Sequence, residues 1–108
     1  MNVSGFIRGY MSKNMTGETF FMKVADTIEK QLQEWDPTYH VLLLKLKDYV
    51  LIVQKGETSY ELTISEQELA QHQSRSPFSL DHKIWCALQQ KGLQIVKGKG
   101  NYIDHCIS

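Results

Sequence analysis

Four residues in the last third of the chain are of the types from which metal sites and nucleophiles are built: His82, Cys86, His105 and Cys106. His82 and Cys86 stand four apart in a stretch that reads as a helix, so both project from one side of it. There they could face a metal ion or form a thiol–imidazole pair. His105 and Cys106 are neighbours in a stretch that reads as a strand, where successive side chains point to opposite faces, so they do not converge on one ion. The chain lacks paired C-x-x-C or H-x-x-x-H spacing, and nothing local suggests an oxyanion hole. Cys86 therefore reads as a small buried hydrophobe on a helix flank. No cofactor, metal or catalytic residue is expected.

Other chemical-looking groups are weaker. Lys97-Gly98-Lys99-Gly100 lacks the G-x-x-x-x-G-K-[ST] pattern and falls between two strand-like runs, so no helix dipole stands behind it to hold a phosphate. Asp81 or Asp104 with Glu57 or Glu61 are carboxylates that no spacing brings together. His40, at a strand start, and His72, near the end of a polar helix, read as surface residues.

The elements that must position these groups are organised around residues 39–64. Three strand-like runs, from Tyr39, Tyr49 and Ser59, are separated by Lys47-Asp48 and by Lys55-Gly56-Glu57-Thr58, the pattern of an antiparallel meander. The first two runs are apolar at almost every position and ask for cover on both faces. The third alternates Tyr60, Leu62 and Ile64 with polar residues, as in a strand buried on one side. Before the meander, Phe21, Val24, Ala25, Ile28, Leu32 and Trp35 make one stripe of a helix from Glu18 to about Trp35. Thr16 or Thr19 stands ready to cap its start, and Asp36-Pro37 ends it.

After the meander, Ser65-Glu66-Gln67-Glu68 spells a capping box for a short helix to about Gln73, with Leu69 as its only large apolar residue. A third helix is predicted from Leu80 to Lys91, with Ser79 as N-cap and Gly92 as the left-handed residue after it. Leu93–Val96 and Tyr102–Ile107 then read as two strands of a C-terminal β-hairpin around residues 97–101. The class is α+β with one mainly antiparallel sheet.

At 108 residues and 12.5 kDa the chain is sized for one domain, taken as residues 18–108, with residues 1–17 an N-terminal arm or leader. Twelve basic residues balance twelve acidic ones, so no net field draws nucleic acid or an anionic membrane. Two cysteines make no disulfide framework, and no signal peptide or run of roughly 20 apolar residues is apparent, so the expectation is a cytoplasmic protein.

The functional expectation is a regulator, adaptor or inhibitor that works through protein–protein contact, not an enzyme, and forms a homodimer that covers the second sheet face. Exposed aromatic and basic residues near the hairpin, Trp85, Lys97, Lys99 and Tyr102, are the expected interaction surface. The alternative is a winged-helix nucleic-acid-binding module, with the third helix as reader and Lys97 and Lys99 on the wing. The helix–three strands–helix order also resembles a double-stranded-RNA-binding domain in outline. There the helix after the third strand presents lysines to phosphate, whereas here it opens with Glu66 and Glu68.

Overall fold

Phe20, Phe21, Val24, Ala25, Ile28 and Leu32 are all buried on helix α1 (Gly17–Trp35), which lies across one face of a three-stranded sheet and supplies much of the core. The computed structural model describes residues 16–75, 78–95 and 102–107; residues 1–15, 76–77, 96–101 and 108 lie outside that description, as do the side chains of residues 104, 105 and 107. Thr16 caps α1, its hydroxyl oxygen accepting from the Thr19 N–H at 3.2 Å. At the other end Asp36, extended at φ −155°, precedes Pro37 and breaks the helix. The Asp36 carboxylate accepts from the Thr38 N–H and hydroxyl at 2.9 and 2.8 Å, and this turn aims the chain into the sheet.

The sheet comprises β1 (Tyr39–Lys45), β2 (Tyr49–Lys55) and β3 (Thr58–Ile64) in the order β1-β2-β3, both pairs antiparallel. Leu43 stands opposite Leu51, which stands opposite Leu62. Gly56, at φ 59°, is the first central residue of the two-residue loop between Lys55 and Thr58, and no other central residue is left-handed; that is the pattern of a type II′ turn, whose twist suits a hairpin. The meander predicted from the sequence is the sheet observed.

Helix α2 (Glu66–Ser74) opens with the expected capping box: the Glu68 N–H donates to Ser65 Oγ at 3.1 Å and the Ser65 N–H to Glu68 Oε1 at 3.5 Å. Its Leu69 is buried against the core. Helix α3 (Ser79–Gln90) buries Leu80, Ile84, Trp85 and Leu88, and Gly92, at φ 105°, ends it in the left-handed conformation that glycine tolerates best.

Two expectations are corrected. Ser79 is not the N-cap of α3: that position is Phe78, whose side chain makes no capping hydrogen bond, while the Ser79 hydroxyl is hydrogen-bonded to His72 Nδ1 at 2.7 Å and ties α3 to α2. The C-terminal β-hairpin is not formed either, because Tyr102–Ile107 is a short helix, α4. Tyr102, Ile103 and Cys106 are all fully buried. A strand would send the adjacent Tyr102 and Ile103 to opposite faces, whereas a helix places 102, 103 and 106 on one wall. Residues 93–95 are not in a strand, and the rest of the proposed hairpin lies outside the described residues.

Helices α1 and α3 pack on the same face of the sheet. Trp35 and Trp85 meet with ring centroids 5.6 Å apart, and both helices join one cluster with Leu51, Leu62 and Ile64. Among the described residues the helices thus pack on one face of the sheet and none packs on the second, where Val50 is nonetheless only 8% exposed.

Candidate interaction surface

The chemical-looking groups come first. His82 and Cys86 do share one side of α3: Cys86 Sγ lies 3.6 Å from His82 Nε2. His82 Nδ1 donates to the Cys106 carbonyl, which leaves Nε2 as the acceptor facing the thiol. The pair links α3 to α4. The nearest carboxylate in sequence, Asp81, points the other way, into the core, where it accepts from the Tyr102 hydroxyl. Trp85 Nε1 donates to the same hydroxyl at 3.2 Å. Burial, then the Asp81 charge, pushes the Tyr102 phenol well above its ordinary value, so it stays a donor. Among the described residues no cluster of three or more His, Cys, Asp or Glu is placed to hold a metal ion.

This geometry relocates the surface expected from the sequence. Trp85 and Tyr102 are wholly buried and hydrogen-bonded to each other, so they are core residues; Lys97 and Lys99 lie outside the described residues. The winged-helix reading also needed a strand pair, and its second strand is α4.

What the sheet presents instead follows from its register. Tyr39, Val41 and Leu43 of β1, Tyr49, Leu51 and Val53 of β2, and Tyr60, Leu62 and Ile64 of β3 face the helices. The alternate residues therefore share the outer face: Leu44 beside Val50 and Thr63, Leu42 beside Ile52 and Glu61, and His40 beside Gln54 and Ser59. Leu42 and Leu44 are 46 and 47% exposed, and Leu46, just past the end of β1, is 70% exposed. With Ile52 they form an apolar patch on the β1 side of that face, next to Val50, which is only 8% exposed.

The free edge of β1 is guarded along half its length. Glu29 of α1 accepts from the Val41 N–H at 2.8 Å, and the Gln33 amide donates to the Tyr39 carbonyl at 3.1 Å. These side chains occupy backbone groups that point away from β2 and block further strand pairing there. Beyond Val41 they give way to an open groove of about 210 Å³ between α1 and the end of β1, walled by Phe21, Met22, Leu43 and Leu44. Met22, 54% exposed, stands at its rim. Lys45 lies 4.6 Å from the Tyr49 ring centroid and pairs with Glu66 at 2.6 Å, which raises the pKa of its ammonium.

Two further grooves, of about 540 and 430 Å³, lie at opposite ends of the sheet, one by Tyr39, Tyr60 and Gly92, the other by Gly17, Tyr49 and Leu69. None of the three takes any lining from His82 or Cys86. No helix among the described residues is long and apolar enough to cross a membrane.

Compared with models of protein families, with curated proteins and with solved structures, the chain matches none. Its function has to be read from its own surface. The sequence signal for that surface was the double-sided apolar character of β1 and β2; the edge guard of Glu29 and Gln33 had none, since both are ordinary polar residues of an amphipathic helix.

Proposed function

We propose that this chain is a protein–protein interaction protein, a regulator, adaptor or inhibitor, that works as a homodimer. The observation that carries the reading is the leucine patch: Leu42, Leu44 and Leu46 stand out on a sheet face that α1 and α3 leave open. Fully burying one such side chain is worth about 1.5–3 kcal/mol, so leaving three half in water favours association that hides them. A second copy fits because the chain carries no net charge, and two copies approach without long-range repulsion.

Size-exclusion chromatography with multi-angle light scattering tests this. Twice the mass of one chain at micromolar concentration supports it, and one chain's mass at high micromolar concentration ends it.

A further inference from the structure

Resting on that homodimer reading, we infer that two copies join edge to edge through the unguarded end of β1, in one register, to make a continuous six-stranded sheet. The register follows from which backbone groups are open. Tyr39 and Val41 turn their N–H and C=O groups away from β2, as their bonds to Gln33 and Glu29 show. Alternation along an antiparallel strand gives Leu43 and Lys45 the same outward direction. Among the described residues, side chains occupy the first half of the edge and none bonds to the second.

In an antiparallel pair of β1 edges, Leu43 set opposite the partner's Lys45 uses only open groups and forms four backbone bonds across the two-fold axis. Shifting the strands so that Leu43 meets the partner's Leu43 would place Lys45 against the partner's Val41, whose N–H is already taken by Glu29. Shifting the other way sets Leu43 against Lys47, which lies in the bend after the strand. One register survives.

That register matches the exposed leucines to themselves. Leu44 falls on the axis opposite the partner's Leu44, and Leu42 falls opposite the partner's Leu46, so the three residues that stand out on each copy close over one another across the new seam. Two residues past the strand, Lys47 comes to the partner's Val41 and the Glu29 carboxylate that caps it, a pairing of opposite charges repeated by the symmetry. On the inner side, the groove walled by Phe21 and Met22 receives the partner's Leu43 and the stem of its Lys45.

Two variants test this, both in a Cys86→Ser background and checked for native circular dichroism. Leu44→Cys puts two thiols on the axis at a non-hydrogen-bonded pair, where Cα atoms lie about 4.5 Å apart, within disulfide range. It should convert to covalent dimer under mild oxidation, while Thr63→Cys, on the same face at the far strand, should not. Lys45→Pro removes the outward N–H of an edge strand and leaves the β1–β2 bonds intact, so it should run as a monomer by light scattering.

A wild-type dimer that persists in Lys45→Pro overturns edge pairing whatever Leu44→Cys does, because the faces would then be stacking. A dimer in which Leu44→Cys fails to cross-link overturns the register. In both cases the homodimer reading stands. A wild-type monomer overturns both.

Discussion

Asp81 is the one charged side chain buried in the core among the described residues. It is wholly buried on α3 and accepts a hydrogen bond from Tyr102 of α4, whose hydroxyl also receives the Trp85 indole N–H. Replacing Tyr102 by Phe keeps the ring, its 6.0 Å packing on Phe78 and the helix, but takes a donor from a buried carboxylate. A hydrogen bond to a charged group is worth about 1.5–3 kcal/mol, and Tyr102→Phe should lose that much stability in urea titrations, with an unchanged slope. Gln31 offers the opposite case. Its side chain is buried in α1 and its Oε1 atom has no hydrogen-bond partner. Gln31→Met, of similar length and without the amide, should raise stability by about 1 kcal/mol in the same titration. The sequence assigned neither role. By spacing Asp81 is only a carboxylate without a partner, and Gln31 lies beside the apolar stripe, because α1 packs on α2 and α3 as well as on the sheet and buries a wider arc than one stripe.

Helix α2 is an element held by polar joints around a single apolar anchor, Leu69. Its start is tied by the capping box and by Lys83 of α3, 2.9 Å from Glu68, which together hold the Glu68 carboxyl below its usual value, the Lys83 bond being the largest cause. Its end is tied by His72 on Ser79. Partial burial, then the charges of Lys83 and Arg75 against the weaker pull of Glu68, lowers the His72 pKa from its ordinary 6.5. The folded protein then binds the His72 proton more weakly than the unfolded chain does. This contribution is complete above pH 6.5 and is lost as pH falls through the unfolded and then the lowered folded value. Wild type should therefore lose more stability between about pH 7.5 and pH 5 than His72→Gln does; equal losses would remove His72 from the acid response. Elements with local punctuation were legible in this way: the capping box, Asp36-Pro37, and the glycines at 56 and 92 each marked a real boundary. The C-terminal segment was misread because Tyr102, Ile103, Cys106 and Ile107 are apolar in a pattern that a short strand and a short helix both tolerate. The spacing 102, 103, 106 was the helical signal, and only the wall formed by Phe78, Asp81 and Trp85 decides it.

At the scale of the whole molecule, the demand of β1 and β2 for cover on both faces was plain in their composition, but which face stays open depends on where α3 packs. The Trp35–Trp85 contact places α3 beside α1, so both of these described helices lie on one face. The exposed leucines of the other face then link folding to concentration. If the native dimer hides Leu42, Leu44 and Leu46, association stabilises the folded state by mass action, and raising the protein from about 5 to about 500 μM adds about 1.4 kcal/mol per chain, half of RT ln 100 because two chains share each association. For a chain of this size the urea midpoint should then rise by about 1 M. Leu44→Lys places two like charges on the axis and leaves the core untouched, because Leu44 faces away from α1 and α3. Its midpoint should lie below that of wild type at both concentrations and stay unmoved between them. A wild-type midpoint that ignores concentration would mean that three half-exposed leucines are tolerated by a stable monomer, and the search for what this face binds would move to a different protein as partner.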